Sequence, residues 1–275
     1  MNSASKKTGK NESGGHHFDL PRSTFFAPKP SRTASSTVQL AQPGKEEIAR
    51  IMSSFELFCQ LPFDLLVAIA AAATVRYYQR GEFIWKCGEV VRDIVLLETG
   101  FVKLARRDQT GTSKTYGLYG PGDSIGLFAM CAGMKHSVDA VALNEGLRTI
   151  CIDAQTFLEF TESSTTLSDN LRDQLTRFSE SLIGKIEVIS AGEISKRLAV
   201  LMTQLVERYG VDRRNNQARL PFKPTLELMS EIVDARIETV ARVLSQWKRK
   251  GWLSADAKGF VFYHWDQFAP NTTHC

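Results

Sequence analysis

The chain has 275 residues, of which 43% are apolar and 23% charged, and its 34 Lys and Arg exceed its 30 Asp and Glu. This composition is that of a globular protein long enough for about two domains. The longest apolar run, Leu65–Val75, is too short to cross a bilayer, and no signal-peptide core opens the chain. Membrane and secreted proteins are therefore excluded, and we expect a cytoplasmic location.

Five cysteines lie far apart in the sequence without CxxC spacing: Cys59, Cys87, Cys131, Cys151 and Cys275. Their spacing predicts neither a zinc module nor an iron–sulfur loop, and an odd number without a pairing pattern favours a reducing compartment. We expect the first three to be ordinary buried cysteines. The sequence has no nucleophile–base set, metal-ligand spacing or Walker loop, so we expect no enzyme, no catalytic residue and no metal site.

Residues 1–44 are rich in Ser, Lys, Gly and Pro and have almost no apolar periodicity. Residues 1–45 contain seven Lys and Arg against two Asp and Glu. This composition predicts a disordered basic tail. The alternative is a basic arm that adds non-specific affinity for DNA.

Residues 45–163 are predicted to form a sensor domain that begins with a helix over Glu46–Ala73. Short alternating strands separated by glycines follow, a pattern typical of a compact antiparallel β-roll or jelly roll. The predicted strands are Val75–Tyr78, Gly81–Trp85, Ile94–Glu98, Gly100–Leu104, Thr115–Tyr119, Ser137–Ala142 and Leu147–Asp153.

Residues 164–191 return to a helical period, which predicts a long helix over Ser164–Ile189. Its apolar residues follow one another at steps of three and four, close to a coiled-coil repeat. One interpretation is that this stripe packs on its own roll. We favour pairing with the same helix of a second copy, through Leu171, Leu175, Phe178, Leu182, Ile186 and Ile189.

Residues 192–275 are predicted to form a winged helix-turn-helix domain after a hinge at Gly192 and a helix over Ile194–Tyr209. Within Thr225–Leu253, two short helices are separated by the turn Asp234–Arg236. The second helix has an apolar stripe of Ile237, Val240, Val243, Leu244 and Trp247. The aromatic and apolar residues around Gly259 then predict a small hairpin wing.

The polar face of that second helix suits the DNA major groove. Arg242 can donate twice to guanine, and Glu238 can accept from cytosine N4. The alternative is an ordinary i,i+4 ion pair on a solvated helix, worth about 0.2–0.5 kcal/mol. The 13 Lys and Arg of residues 192–275 exceed the 9 Asp and Glu there, as binding to a polyanion requires. The candidate DNA contacts are Thr225, Arg236, Ile237, Glu238, Ala241, Arg242, Lys248 and Arg249.

Over residues 46–268 the chain resembles the cyclic-AMP receptor and fumarate–nitrate-reductase regulator (CRP/FNR) family. The motifs that carry the resemblance are Gly81-Glu82, Gly88-Glu89, Gly100, Pro121-Gly122-Asp123 with Gly126, Lys196–Ala199 and Ile237–Arg242. The resemblance implies that Glu238 and Arg242 read a half-site similar to TGA. The cyclic-AMP branch has Arg directly before that Glu, where this chain has Ile237, so the chain is more similar to the oxygen- and nitric-oxide-responsive branch.

The resemblance also places the effector pocket at Gly126, Leu127, His136, Ser137, Leu182 and Ile183. Cyclic-AMP-binding members have a Gly-Glu pair for the ribose and an Arg-Ser pair for the phosphate. Here those pairs are Gly126-Leu127 and His136-Ser137, so cyclic-AMP binding is not expected. Residues 1–58 contain no cysteine, so the iron–sulfur sensor of the other branch is not expected either. Four possibilities stay open for the signal: a different effector, haem bound through His136, thiol chemistry, or no effector. A single His in this turn is more often a surface residue than a haem ligand.

The sequence therefore predicts an α+β protein in which a β-roll, a dimerisation helix and a winged helix-turn-helix follow one another. We expect a homodimeric transcription regulator that binds an inverted repeat in successive major grooves about 34–36 Å apart and contacts RNA polymerase. The alternatives are a ligand-binding regulatory module that acts on a protein partner and a haem-based gas sensor.

Overall fold

The computed structural model describes residues 42–109, 111–133, 135–256 and 258–268. The predicted tail therefore lies outside the described residues, except at its end. There the Gln42 side chain donates to the carbonyl of Val75 at 2.9 Å and accepts from its amide at 2.8 Å. Residues 42–44 thus belong to the folded part of the chain.

The region predicted as one helix over Glu46–Ala73 forms three separate pieces, so that prediction is wrong. Helix α1 covers Lys45–Met52, a 3-10 turn covers Glu56–Phe58, and α2 covers Phe63–Ala70. Pro62 has no amide hydrogen and sets the start of α2, because proline is tolerated at the beginning of a helix and not in its interior.

Two four-stranded antiparallel sheets form the predicted β-roll, in the orders β1-β8-β3-β6 and β2-β7-β4-β5. The strands are β1 (Ala73–Tyr78), β2 (Phe83–Trp85), β3 (Asp93–Thr99), β4 (Val102–Arg107), β5 (Ser113–Tyr119), β6 (Ser124–Ile125), β7 (Asp139–Ala142) and β8 (Leu147–Asp153). Their alternating residues meet in a core between the sheets that contains Tyr78, Trp85, Val95, Leu97, Tyr119 and Cys151.

A second core lies where helices pack on the outer face of β1, β3 and β8. The helices that follow α2 in the chain are α3 (Leu127–Cys131), α4 (Ala154–Ser163) and α5 (Thr165–Ser190). Asp153 and Ser164 begin α4 and α5, and each side chain accepts from an amide of the first helical turn. The predicted long helix is α5.

The winged helix-turn-helix domain consists of three helices and a sheet in the order β11-β12-β10-β9. Its elements are α6 (Ile194–Tyr209), β9 (Val211–Arg214), β10 (Gln217–Leu220), α7 (Leu226–Val233), α8 (Ile237–Arg249), β11 (Leu253–Asp256) and β12 (Gly259–Tyr263). Gly259 has φ +140°, and a Cβ there would stand 2.0 Å from the carbonyl oxygen of Leu220. The backbones of the predicted wing and β10 approach each other so closely that a side chain has no room.

The roll and the DNA-binding domain of one chain are in direct contact. Phe101 packs on Phe222 with 4.0 Å between ring centroids and meets the edge of Tyr209 at 5.4 Å. Asp123 of the roll accepts from Arg208 at 2.7 Å and from the Tyr209 hydroxyl at 2.7 Å. This contact places α7 beside β5.

Candidate nucleic-acid interface

Helix α7 and its turn have the geometry that the sequence predicts. The Thr225 hydroxyl accepts from the amide of Leu228 at 3.2 Å and satisfies a free donor at the helix start. The helix ends at Asp234, which adopts the left-handed conformation at φ +53°. Aspartate tolerates this conformation better than most residues, so the chain turns here without the usual glycine.

Helix α8 buries one side and exposes the other. Val240, Val243, Leu244 and Trp247 are buried against the rest of the domain. Ile237 belongs to the exposed side instead, with 40% of its surface accessible, so its assignment to the apolar stripe is wrong. It is the first residue of the helix, and the helix packs against the domain only further along.

The exposed side of α8 carries the polar residues that sequence reasoning selects. Glu238 and Arg242 are both exposed, and among the described residues neither forms an ion pair. Ala241 is half-buried between them. The two side chains therefore do not pair with each other, which argues against the alternative of an ordinary i,i+4 ion pair. Thr225, Arg236, Lys248 and Arg249 are also exposed.

The predicted hairpin wing follows α8 directly. Strands β11 and β12 pair from Leu253 opposite Phe262 to Asp256 opposite Gly259. Asp256 accepts from the backbone amide of Lys258 at 2.7 Å and pairs with Arg219 of β10 at 2.7 Å. The wing is thus tied to the neighbouring strand and forms one unit with α8.

Residues of the roll that sequence reasoning misses hold α7 in place. Lys103 of β4 lies 2.7 Å from a carboxylate oxygen of Glu231, and the Thr115 hydroxyl donates to Glu231 at 2.5 Å. Lys114 pairs with Asp234, and its hydrogen bond lowers the pKa of that carboxyl. We call these three contacts the α7 anchor. No local pattern could reveal it, because its partners are more than a hundred residues apart in the chain.

An aromatic pair occupies the interior of the roll at the predicted effector pocket. The Trp85 indole is stacked on the His136 imidazole with 4.1 Å between ring centroids and 9° between planes. The Trp85 ring also lies 3.8 Å from the point where a Cβ on Gly126 would stand, and its NH donates to the carbonyl of Val138 at 3.0 Å. Trp85 therefore fills the space between the two turns to which the resemblance assigns the ribose and the phosphate.

His136 is buried, with 5% of its surface exposed, so the expectation of a surface position is wrong. Burial lowers its pKa to about 4, which leaves the imidazole neutral at pH 7. Its backbone is fixed from both sides, since its amide donates to Glu89 and its carbonyl accepts from Gly88. A neutral ring in this place supplies no positive charge for a phosphate.

The other predicted pocket residues lie in different environments. Leu127 is buried in the core on the outer face of the roll, and Ser137 is exposed. Leu182 and Ile183 lie on α5 and are 40% and 57% exposed. Of the predicted set of six, Gly126 and His136 both lie next to Trp85.

The predicted seam of α5 divides into two halves. Leu171 is buried in the core of its own protomer, Leu175 packs against the same core, and Phe178 packs on the roll. The assignment of Leu171 to a dimer interface is therefore wrong, because the roll already covers it. Leu182 and the following positions Ile186 and Ile189 are exposed, the last two at 62% and 38%.

Two of the cysteines expected to be buried are exposed. Cys59 and Cys87 lie at the surface, Cys131 is half-buried and Cys151 is buried. Burial raises the pKa values of Cys131 and Cys151, the latter to about 11, so both remain thiols at neutral pH.

The β-roll, the long helix and the exposed helix with its wing together define a two-domain DNA-binding regulator. Residues 75–164 match the family model of the cyclic nucleotide-binding domain, and residues 196–267 match that of the Crp-like helix-turn-helix domain. The chain belongs to the CRP/FNR family of transcription regulators, a family of regulators and not of enzymes. It is a transcription regulator with a helix-turn-helix DNA-binding domain.

Two curated relatives represent the two branches of the family. A CRP-like cAMP-activated global transcriptional regulator of Mycobacterium tuberculosis is 22% identical over 184 residues, which are 67% of this chain and 81% of that protein. The fumarate and nitrate reduction regulatory protein of Salmonella typhimurium is 22% identical over 200 residues, 71% of this chain and 77% of that protein.

The solved structure of FixK2 from Bradyrhizobium japonicum has the same fold. It aligns with a TM-score of 0.64 at 18% identity and covers 72% of this chain and 96% of that one. In the described part of the chain, no helix is both long and apolar enough to cross a membrane.

Proposed function

We propose that α8 reads base pairs in the major groove through Glu238 and Arg242, and that Lys248 and Arg249 contact phosphates. The observation that carries this proposal is that Glu238 and Arg242 are exposed one helical turn apart and form no ion pair among the described residues. A free guanidinium and a free carboxylate match the hydrogen-bonding edges of a G·C pair. Arg236, Ile237 and Ala241 lie on the same side of the helix start and would face neighbouring bases.

Two copies would pair through the exposed half of α5 and present their α8 helices to an inverted repeat. The apolar side chains Leu182, Ile183, Ile186 and Ile189 remain accessible in one protomer. Burial of such side chains stabilises association by about 1.5–3 kcal/mol each. We further propose that the protein acts in the cytoplasm, where its DNA is, and that it contacts RNA polymerase.

The proposed regulator does not respond to cyclic AMP, because Trp85 fills the space between Gly126 and His136. A cyclic phosphate taken out of water needs an opposite charge or several donors, and the neutral His136 offers neither a charge nor a two-pronged contact. A haem ligated by His136 stays one of the alternatives that the sequence leaves open.

The test of base reading begins with selection of a binding site from random duplexes by the full-length protein. Binding of the Arg242→Ala variant is then measured on this duplex and on its single-base variants. We expect a loss of about 1–3 kcal/mol on the selected duplex and a loss of preference at one base pair. Lys248→Ala should instead weaken binding to every duplex by a similar factor.

The matched control is Arg50→Ala on α1, which removes one exposed arginine far from α8 in sequence and should leave affinity and preference unchanged. If Arg242→Ala keeps the full preference at every position, the assignment of Arg242 to base reading fails.

A further inference from the structure

A small cavity with polar and apolar walls lies where β5, α5, α6 and α7 meet. Its volume is about 80 Å³, and its walls include Ser181, Lys185, Arg208 and Ile232. A water needs about 10–15 Å³ in this measure of volume, so the cavity has room for several waters or for a small anion. The cavity is separate from the roll interior that Trp85 fills.

One cation of the cavity wall is already neutralised. The Arg208 guanidinium pairs with Asp123 at 2.7 Å and lies between the rings of Tyr119 and Tyr209, 5.2 and 5.4 Å from their centroids. Its position is thus fixed by three neighbours, and it adds no net charge to the cavity.

The charged groups behind the cavity are paired as well. Lys103 pairs with Glu231 and Lys114 with Asp234 in the α7 anchor. Lys185 differs from them, because its ammonium donates to the backbone carbonyl of Ile232 and, among the described residues, has no carboxylate within ion-pair distance. Lys185 is therefore a cation of the cavity wall without a carboxylate partner among the described residues.

A half-buried ammonium without a counter-ion is unfavourable. It has three donor hydrogens, of which the Ile232 carbonyl accepts one. Burial lowers the pKa of Lys185 to about 8, so most of it is charged at pH 7. An anion in the cavity would supply both the missing charge and the missing acceptors.

We propose that this cavity binds a small monoanion with carboxylate-like or nitrate-like oxygens, and that Lys185 is its counter-ion. The hydroxyl of Ser181 and the guanidinium of Arg208 line the same space and offer further donors. The apolar walls, formed by residues such as Val188 and Leu201, favour a weakly hydrated anion over a strongly hydrated dianion. A ligand here touches the roll, α5, α6 and α7 together.

The test is calorimetric titration of the full-length protein at pH 7 with sodium acetate and, separately, with sodium nitrate. The background salt is sodium sulfate, whose strongly hydrated dianion the apolar walls disfavour. We expect saturable binding of at least one anion with one site per chain, and the two arms distinguish a carboxylate from an inorganic oxyanion. Lys185→Met should weaken that binding at least tenfold, whereas the exposed-lysine control Lys196→Met should leave it unchanged.

A second measurement tests the proposal on the wild-type chain, should the Lys185→Met variant fail to fold. At pH 8.5 Lys185 is partly neutral, and anion binding should take up protons, which makes the measured heat depend on the buffer's ionisation enthalpy. The other charged groups that face Lys185 are the paired Lys114, Glu231, Asp234 and Arg208. Absence of saturable binding by both anions, equal binding by Lys185→Met, or no proton uptake at pH 8.5 would overturn the proposal.

Discussion

The aromatic pair of Trp85 and His136 determines what the roll can bind. The indole takes the place of a ligand between the two turns, and the imidazole on which it is stacked is buried and neutral. The site retains the left-handed turn of Gly126, at φ +92°, but lacks the charge that a phosphate requires. We therefore expect this cyclic-nucleotide fold not to bind a cyclic nucleotide.

Calorimetry with cyclic AMP should detect no binding to the wild-type protein. Trp85→Ala would vacate the space, yet no cation would replace the indole, so this variant should not gain affinity for cyclic AMP either. Its folding should be less stable by about 3–5 kcal/mol, as expected for loss of a buried Trp. Micromolar affinity in the wild-type protein would contradict this view of the roll.

His136 should make the stability of the protein depend on pH. Its pKa is about 4 in the folded state and about 6.5 in the unfolded chain, so only the unfolded chain takes up a proton between these values. The contribution of the neutral His136 to the free energy of unfolding is thus complete above pH 6.5. It falls by up to about 3 kcal/mol as the pH drops towards 4. Chemical denaturation from pH 7 to 4.5 measures this loss. His136→Phe retains an aromatic ring beside Trp85 without a titrating group and should show a smaller loss; an equal loss would assign the effect to other residues.

The two halves of helix α5 differ in what covers them within the protomer. Its first half packs on the roll through Leu171, Leu175 and Phe178, and Phe178 stacks on Phe128 of α3 with 5.2 Å between centroids. Its second half is covered on one side only: Val188 is buried in the core that includes Leu201 of α6, whereas Ile186 is 62% exposed. We therefore expect one apolar repeat to supply an intramolecular core with its first half and a surface for a second copy with its second half.

Ile186→Glu should convert the dimer into monomers, because a charge placed in an apolar seam loses its hydration. Leu171→Ala should lower the unfolding free energy of the protomer by about 2–5 kcal/mol and leave association unchanged. Sedimentation velocity and chemical denaturation of both variants separate the two effects. An intact Ile186→Glu dimer would move the interface away from the second half of α5.

At the scale of the whole molecule, polar contacts to the short helix α7 join the roll to the helix-turn-helix, in addition to the contacts of Phe101 and Asp123. The α7 anchor connects β4 and β5 to α7 and its turn, directly before α8. Lys103 and Glu231 are 17% and 18% exposed, so their ion pair is shielded from solvent more than a surface pair. We therefore expect a change in the position of β4 and β5 to move α7 and the start of α8.

Glu231→Gln should loosen α7, since it removes the charge that Lys103 and Thr115 contact. A hydrogen bond to a charged group contributes about 1.5–3 kcal/mol, so amide hydrogen exchange within α7 should become roughly ten- to a hundredfold faster. Asp256→Asn removes the Arg219 pair inside the DNA-binding domain and is the matched control, expected to leave α7 unchanged. Equal exchange rates in Glu231→Gln and wild type would show that the anchor does not stabilise α7.

The sequence alone determined those features that depend on neighbouring residues. The bounds of α6 and β8 are those predicted, because local periodicity defines each of them over many residues. The left-handed turn at Asp234 and the buried stripe from Val240 to Trp247 likewise follow from short-range spacing. The α+β architecture and the order of its parts follow from these elements and from the family motifs.

The tertiary structure decided which partner each apolar or charged face meets. Periodicity identifies the apolar face of α5, but the same repeat could pack on a roll or on a second helix. Leu171 and Ile186 belong to the same repeat and differ only in whether the roll lies against them. Likewise, the sequence shows Trp85 only as an ordinary strand residue, and its contact with His136 depends on the fold. From the sequence, Lys103 and Lys185 would be taken for solvated lysines, because only the fold brings α7 beside them. Burial and pairing are properties of two surfaces, and a sequence pattern describes only one of them.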